Sequence, residues 1–238
     1  MADPYWAAVE PQSKLSKVAY GGQVRSDNRR PPRDAPLMRK YAVACLSANG
    51  STVISDHMAP VDLGFDAAFS ALSQSALVYS PRGPIQAQDL VPGDVVTCAD
   101  GETARVVWIG SMTGIPNIDA ITLPDFRLYR VSSDAFGLDC PMGDTILGPG
   151  AVLTGGRFHN TPVAEAADGE VIFEVFPQSP VGLLHLMLDR PGAILVNGLA
   201  VKAFVPTPDM LEPMGQNGRA LFASLFRNLD LGRMAAAV

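Results

Sequence analysis

Three histidines, His57, His159 and His185, and three cysteines, Cys45, Cys98 and Cys140, supply every imidazole and thiol of this 238-residue chain. No two of the histidines sit at metal-ligand spacing with a carboxylate between them, so no metal site is expected. The cysteines are scattered and form no C-x-x-C pair, which fits buried small apolar residues better than a disulfide frame or a zinc site. A hydroxyl nucleophile needs a base within reach. The candidates are Ser70 and Ser73, just ahead of a β-rich region, with His185 as the imidazole. His185 lies between Leu184 and Leu186, so on a strand it points away from both, and hydrogen-bonding or surface roles suit it better than catalysis. His159, in Gly155-Gly156-Arg157-Phe158-His159-Asn160, reads as a loop residue. There is no G-x-S-x-G elbow, Walker loop or dinucleotide fingerprint, and Gly148-Pro149-Gly150 lacks the following helix that a phosphate loop needs. The acid pairs Asp62 with Asp66 and Asp139 with Asp144 read as solvated turn residues. No cofactor is expected.

The elements that must position these groups are mostly strands. The stretch Pro81 to Gly101 combines a Gly turn, an Ile85 to Leu90 segment, a sharp Pro92-Gly93-Asp94 turn, a short run Val95-Val96-Thr97 and an Asp100-Gly101 hairpin signal. Candidate strands are 77–80, 95–98, 103–110, 120–123, 129–132, 145–147, 171–175, 183–188, 194–196 and 201–205. Many short strands with regular turns and little helical period argue an all-β body. Ahead of it, Met38 to Asp56 reads as a hairpin turning at Asn49-Gly50, and Asp62 to Leu72 as a short helix with Phe65, Phe69 and Leu72 on one side. After Pro206 and Pro208, residues 216–235 carry Leu221, Phe222, Leu225 and Phe226 on one stripe of an amphipathic helix. Four regions are expected: an extended arm (1–37), a lead-in hairpin and helix (38–69), a β domain (70–206) and a helical tail (207–238).

The pattern G-x-I-x-x-x-x-L-x-x-G-D-x-V from Gly83, followed by the Asp-Gly turn, resembles the opening block of the Hint (hedgehog/intein) domain, in the bacterial subgroup that stands outside true inteins. Thr103-Ala-Arg-Val-Val-Trp-Ile-Gly110 is similar to that family's V-x-W-I-G strand. Leu147 to Leu153 is similar to its second block, and Leu184 to Phe204, with Asn197-Gly198, to its closing hairpin. The resemblance covers about residues 70 to 205 and implies a horseshoe of short strands. It also implies self-cleavage by an acyl shift, with a Cys or Ser at the first residue and a His in the second block to protonate the leaving nitrogen. Matched back from Pro81, the nucleophile position falls on Ala71, the second-block His on Gly150 or Ala151, and a closing-block His near Gly192. None of these residues can attack or transfer a proton. The chain also runs on through Val201-Lys202-Ala203, which excludes ligation on this alignment.

Charge is unevenly placed. Residues 1–40 hold eight Lys/Arg against four Asp/Glu, so this stretch carries +4 of a net −6 and the remainder −10. A basic arm on an acidic body can fold back, reach a neighbouring subunit or touch an anionic partner. Its four arginines lack interleaved aromatics, so nucleic acid is not the expected partner. No apolar run approaches the roughly 18 residues that span a bilayer, and the tail helix has no strongly basic polar face, so no membrane insertion is expected. Met-Ala-Asp-Pro-Tyr-Trp shows no basic start and no apolar core of a signal, which predicts synthesis in the cytoplasm without a signal peptide. The expectation is a catalytically inactive Hint-fold protein that works by binding other protein subunits, as one component of a larger assembly. Interface candidates are Tyr5, Trp6, Tyr20, Arg29 and Arg30 in the arm and Leu221, Phe222, Leu225 and Phe226 in the tail. The alternative is a self-cleaving Hint domain with Ser70 or Ser73 as nucleophile.

Overall fold

Alternation and turn chemistry set the first element. In a computed structural model that describes residues 37–116, 126–207, 210 and 216–226, β1 (Met38–Leu46) pairs antiparallel with β2 (Thr52–Pro60) along the full length of both strands. Between them Asn49 Oδ1 accepts from Ser51 N at 3.0 Å, and Gly50 takes a φ of 82° that suits glycine. The arm, its aromatics and arginines, and the expected strand at 120–123 lie outside the described residues.

The expected helix over 62–72 is shorter. α1 (Leu63–Ala67) is capped by Asp62, whose carboxylate accepts from Gly64 N at 2.9 Å and Phe65 N at 3.3 Å. Leu72 does not continue that helix. It belongs to β3 (Leu72–Ser73), because the chain from Ala71 onward is taken up by strand partners on both sides.

The chain then runs through β4 (Leu77–Ser80) and β5 (Gly83–Gln86), a 3-10 turn at Ala87–Asp89, β6 (Val95–Thr97) and β7 (Thr103–Gly114). It continues with β8 (Leu128–Val131), β9 (Thr145–Leu147), β10 (Val152–Gly155), β11 (Phe158–Pro162) and a short α2 (Val163–Ala166). Last come β12 (Ile172–Val175), β13 (Val181–Leu188), β14 (Ala193–Val196), β15 (Leu199–Lys202) and α3 (Gln216–Ser224). β15 starts at Leu199, ahead of the expected Val201, and β5, β10 and β11 are strands where none was expected.

Two sheets result among the described residues. One runs β12-β8-β9-β3-β13-β7-β1-β2 with β6 added on β7; the other runs β11-β10-β15-β14-β4-β5. β1 pairs with β7 from Tyr41 opposite Met112 to Cys45 opposite Trp108, so the lead-in hairpin extends the larger sheet.

β13 is buried on both faces, which is why Leu183 to Leu188 reads as one apolar run. Leu184, Leu186 and Leu188 join a core that includes Val78, Val96, Leu147, Leu153, Ile194 and Val201. Leu183 and Met187 face a second, aromatic core with Tyr41, Phe65, Phe69, Trp108, Phe204, Phe222 and Phe226. Along β7, Ala104 and Val106 face the first core, yet Trp108 and Met112 face the second. A bulge explains the switch: Met187 lies opposite Trp108 and Leu188 opposite Val106, so Val107 is the extra residue that turns the strand over.

Candidate functional site

The site is built where the chain leaves α1 and enters β3. The Ala71 N–H donates to Leu184 O at 3.1 Å, and its carbonyl accepts from Gly148 N at 2.9 Å. Ala71 is thereby held between β13 and the turn after β9, fully buried, with its methyl group in the first core. The carbonyl just before it, that of Ser70, accepts from Gly150 N at 3.1 Å. The Ser70–Ala71 peptide, where the sequence alignment expects the scissile bond, is followed by a side chain with no nucleophilic atom.

Gly150, one of the two positions at which the sequence alignment expects the second-block His, has no room for a side chain. A Cβ built on Gly150 would run into the main-chain carbonyl of Ala67 and come within 3.0 Å of Ser70 Oγ, and one on Gly148 would strike the carbonyl of Ser70. The turn from Gly148 to Gly150 therefore lies flat against residues 67–70. An imidazole at position 150 would need main chain to move, because neither carbonyl is the far end of a flexible side chain.

Ser70 is fully buried, and its hydroxyl has no hydrogen-bond partner among the described residues. Ser73 is nearly buried on β3, with its hydroxyl 3.3 Å from that of Ser75. The structure does not join either serine to an imidazole. Ser55 Oγ lies 2.9 Å from His57 Nε2, but both belong to β2, in the lead-in hairpin.

His185 points away from Leu184 and Leu186 as its sequence context predicts, but the opposite face is core, not surface. It is 6% exposed, with Nδ1 3.2 Å from Ala67 O, Nε2 3.3 Å from Lys202 O and the Phe204 ring centroid 5.2 Å away. Burial pushes its pKa down to about 4, against the two carbonyls, which favour the protonated ring. The neutral imidazole lies between the end of α1 and the end of β15 and, having a single N–H, donates to one of these two carbonyls at a time. His159 falls on β11, exposed, and not on the expected loop.

Two further expectations change. Asp66 is not solvated. It is 7% exposed, accepts from Tyr41 Oη at 2.7 Å and is ion-paired with Arg39. The Asp66 carboxylate and burial together push the Tyr41 hydroxyl far above the ordinary phenol range. Arg39 and Tyr41 share a face of β1 by the strand's two-residue period, but nothing local names an acid 25 residues on as their partner. The tail stripe Phe222, Leu225 and Phe226, offered above as an interface, is 2–3% exposed and buried in this chain's own aromatic core; Leu221 packs at its margin. Trp108 Nε1 donates to Leu225 O at 3.3 Å, which fixes the helix to β7.

Among the described residues there is no cluster of His, Cys, Asp and Glu that could hold a metal. No helix among them is long and apolar enough to cross a membrane. Cys45 and Cys98 are buried, whereas Cys140 is partly exposed.

The family model of the Hint domain matches residues 70–208, so the chain belongs to the Hint domain family. Among solved structures, it is similar to the Msm DnaB1 intein splicing domain bound with zinc, at 21% identity over 56% of this chain and 100% of that one, with a TM-score of 0.40. A bacterial intein-like domain from Clostridium thermocellum aligns at 8% identity over 57% of this chain and 99% of its own, with a TM-score of 0.41. The gp41-1 intein aligns at 11% identity over 56% and 98%, with a TM-score of 0.38. No curated protein matches.

Proposed function

We propose that this protein is a Hint domain that no longer cuts its own chain and acts as a structural, protein-binding component of a larger assembly. The observation that carries the first half is the pairing of Ala71 with a Gly150 pressed against main chain, which leaves the attacking atom and the proton donor both without a side chain. His185 is no substitute, since both of its nitrogens face carbonyls and it is neutral at neutral pH. Binding is the function left to a β framework kept without its chemistry. The test is the intact mass of the purified full chain after long incubation with dithiothreitol or hydroxylamine. One species of 25.2 kDa is expected, and a fragment starting at residue 70, 71 or 73 overturns the reading. For the second half, light scattering of the full chain and pull-down from its native cell should give a defined complex; a monomer with no co-purifying protein refutes it.

One observation favours self-cleavage instead: a buried serine hydroxyl without a partner, at Ser70. In that reading Ser70 Oγ bonds to the Phe69 carbonyl carbon, the Phe69–Ser70 C–N bond breaks, and the hydroxyl proton passes to the Ser70 nitrogen. Water then hydrolyses the ester. A cleaved product abolished by Ser70→Ala would establish it.

A further inference from the structure

A cleft lined by β10, β11, β14 and β15 shares no lining residue with the site at residues 67–71 and 148–150. Its volume is about 510 Å³, inside the roughly 300–1,000 Å³ of small-ligand pockets. The floor is apolar, from Leu195 and Ala200, which face each other on β14 and β15 and turn away from the first core. The walls are Phe136 and Phe158, edge to face with ring centroids 5.1 Å apart. Cys140 completes one side, its Sγ 3.5 Å from Gly198 O.

The sole charged residue in this lining is Arg157. It follows the Gly155-Gly156 turn of the β10–β11 hairpin, where both glycines have positive φ, a backbone that fixes the direction of the next side chain. Its guanidinium lies 4.6 Å from the Phe136 centroid and 5.1 Å from that of Phe158. Nη2 donates to Asp168 at 3.3 Å. Asp168 is itself held by the N–H groups of Glu170, Val171 and Ile172, so it orients Arg157 without entering the cleft. A guanidinium has five N–H donors, so stacking and one ion pair leave it able to take a second anion.

From this arrangement we infer that the cleft binds a small amphipathic monoanion: a flat or branched apolar body with one carboxylate or sulfonate. The body lies on Leu195 and Ala200 between the phenyl rings, and the acid meets Arg157. Among the described residues the lining has no acid to repel it. The inference is independent of whether the chain cuts itself.

The test uses the folded full chain and 1-anilinonaphthalene-8-sulfonate, with its uncharged relative N-phenyl-1-naphthylamine as the control. The sulfonate should bind saturably at one site and about tenfold more tightly than the neutral probe, the size expected of one charge-assisted contact. Arg157→Gln should remove that difference, and Leu195→Trp, which fills the floor, should abolish binding of both. Cys140 gives a reading that needs no variant: the bound sulfonate should slow its alkylation, while Cys45 and Cys98, already buried, stay unreactive in either case. Unsaturable binding, equal affinity for the two probes, or unchanged Cys140 alkylation at saturation overturns the inference.

Discussion

Gly150 and Ala67 are in contact through main chain: one of the two positions at which the sequence alignment expects a proton-donating side chain is pressed onto a carbonyl at the end of α1. That contact exists because the chain ahead of Ala71 is folded into the body. Phe65 on α1 and Phe69 just beyond its end enter the aromatic core, and this fixes the carbonyls of residues 67–70 over the turn at Gly148–Gly150.

Restoring the lost groups should therefore fail. Ala71→Cys puts a thiol at the first position but should leave a single full-length mass in dithiothreitol. Gly150→His should not add activity either; it should lower stability by at least about 2 kcal/mol, since main chain must move. Intact mass and urea denaturation read the two effects separately.

Asp66→Asn should destabilise by about 2–4 kcal/mol, because Arg39 keeps its charge in a nearly buried place with its counter-ion gone. Replacing Lys40, whose pair with Asp56 is exposed, should change little. Urea midpoints of the two variants check the contrast.

His185 should make stability depend on acid. Its folded pKa, about 4, lies below the ordinary 6.5, so the folded state binds fewer protons than the unfolded one. Its contribution is complete above about pH 6.5 and is lost progressively as pH falls toward 4, a change of roughly 3 kcal/mol. The difference in unfolding free energy between the wild type and His185→Gln, followed from pH 7 to pH 4.5, should shrink across that window.

Phe226→Ala should lower the melting temperature, by about 3 kcal/mol or more of stability, since the ring packs within 5.1 Å of Trp108 and 5.8 Å of Phe204. It should leave the oligomeric state unchanged. A dissociated complex with an unchanged melting temperature would mean that the ring serves a partner instead.

Gly110→Ala is expected to be costly although it adds one methyl group. Its Cβ would overlap the Trp108 and Phe69 rings that lie on this strand, so about 1–3 kcal/mol should be lost. Thermal melting measures it.

What was legible in the sequence follows from the range of the forces involved. Strands 77–80 and 145–147 were legible to the residue because turn residues bound them closely, and the Asn49-Gly50 hairpin for the same reason. The strands at Val152–Gly155 and Phe158–Pro162 were missed because the two glycines between them read as a loop, while the pairing of the first of them with β15 depends on residues some 50 positions away. That residue 71 carries no nucleophilic atom was legible. The closure at Gly150 was not, since it depends on where α1 stops. Asp66 was misread because its partners come from a different element, whereas for His185 the hydrogen-bonded alternative holds and the surface one does not, since a strand covered on both faces has no solvent side.

The pairing of β1 with β7 makes any nick at Ser70–Ala71 silent under gentle conditions. The piece ahead of the break would stay zipped into the larger sheet by its ladder to β7 and by the Phe65 and Phe69 rings packed against Phe222 and Trp108, so two fragments would elute, sediment and scatter as one particle. Only a denaturant would part them. The lead-in segment and the body behave in this respect as complementary halves of one fold, and supplied as separate chains they should find each other and rebuild it.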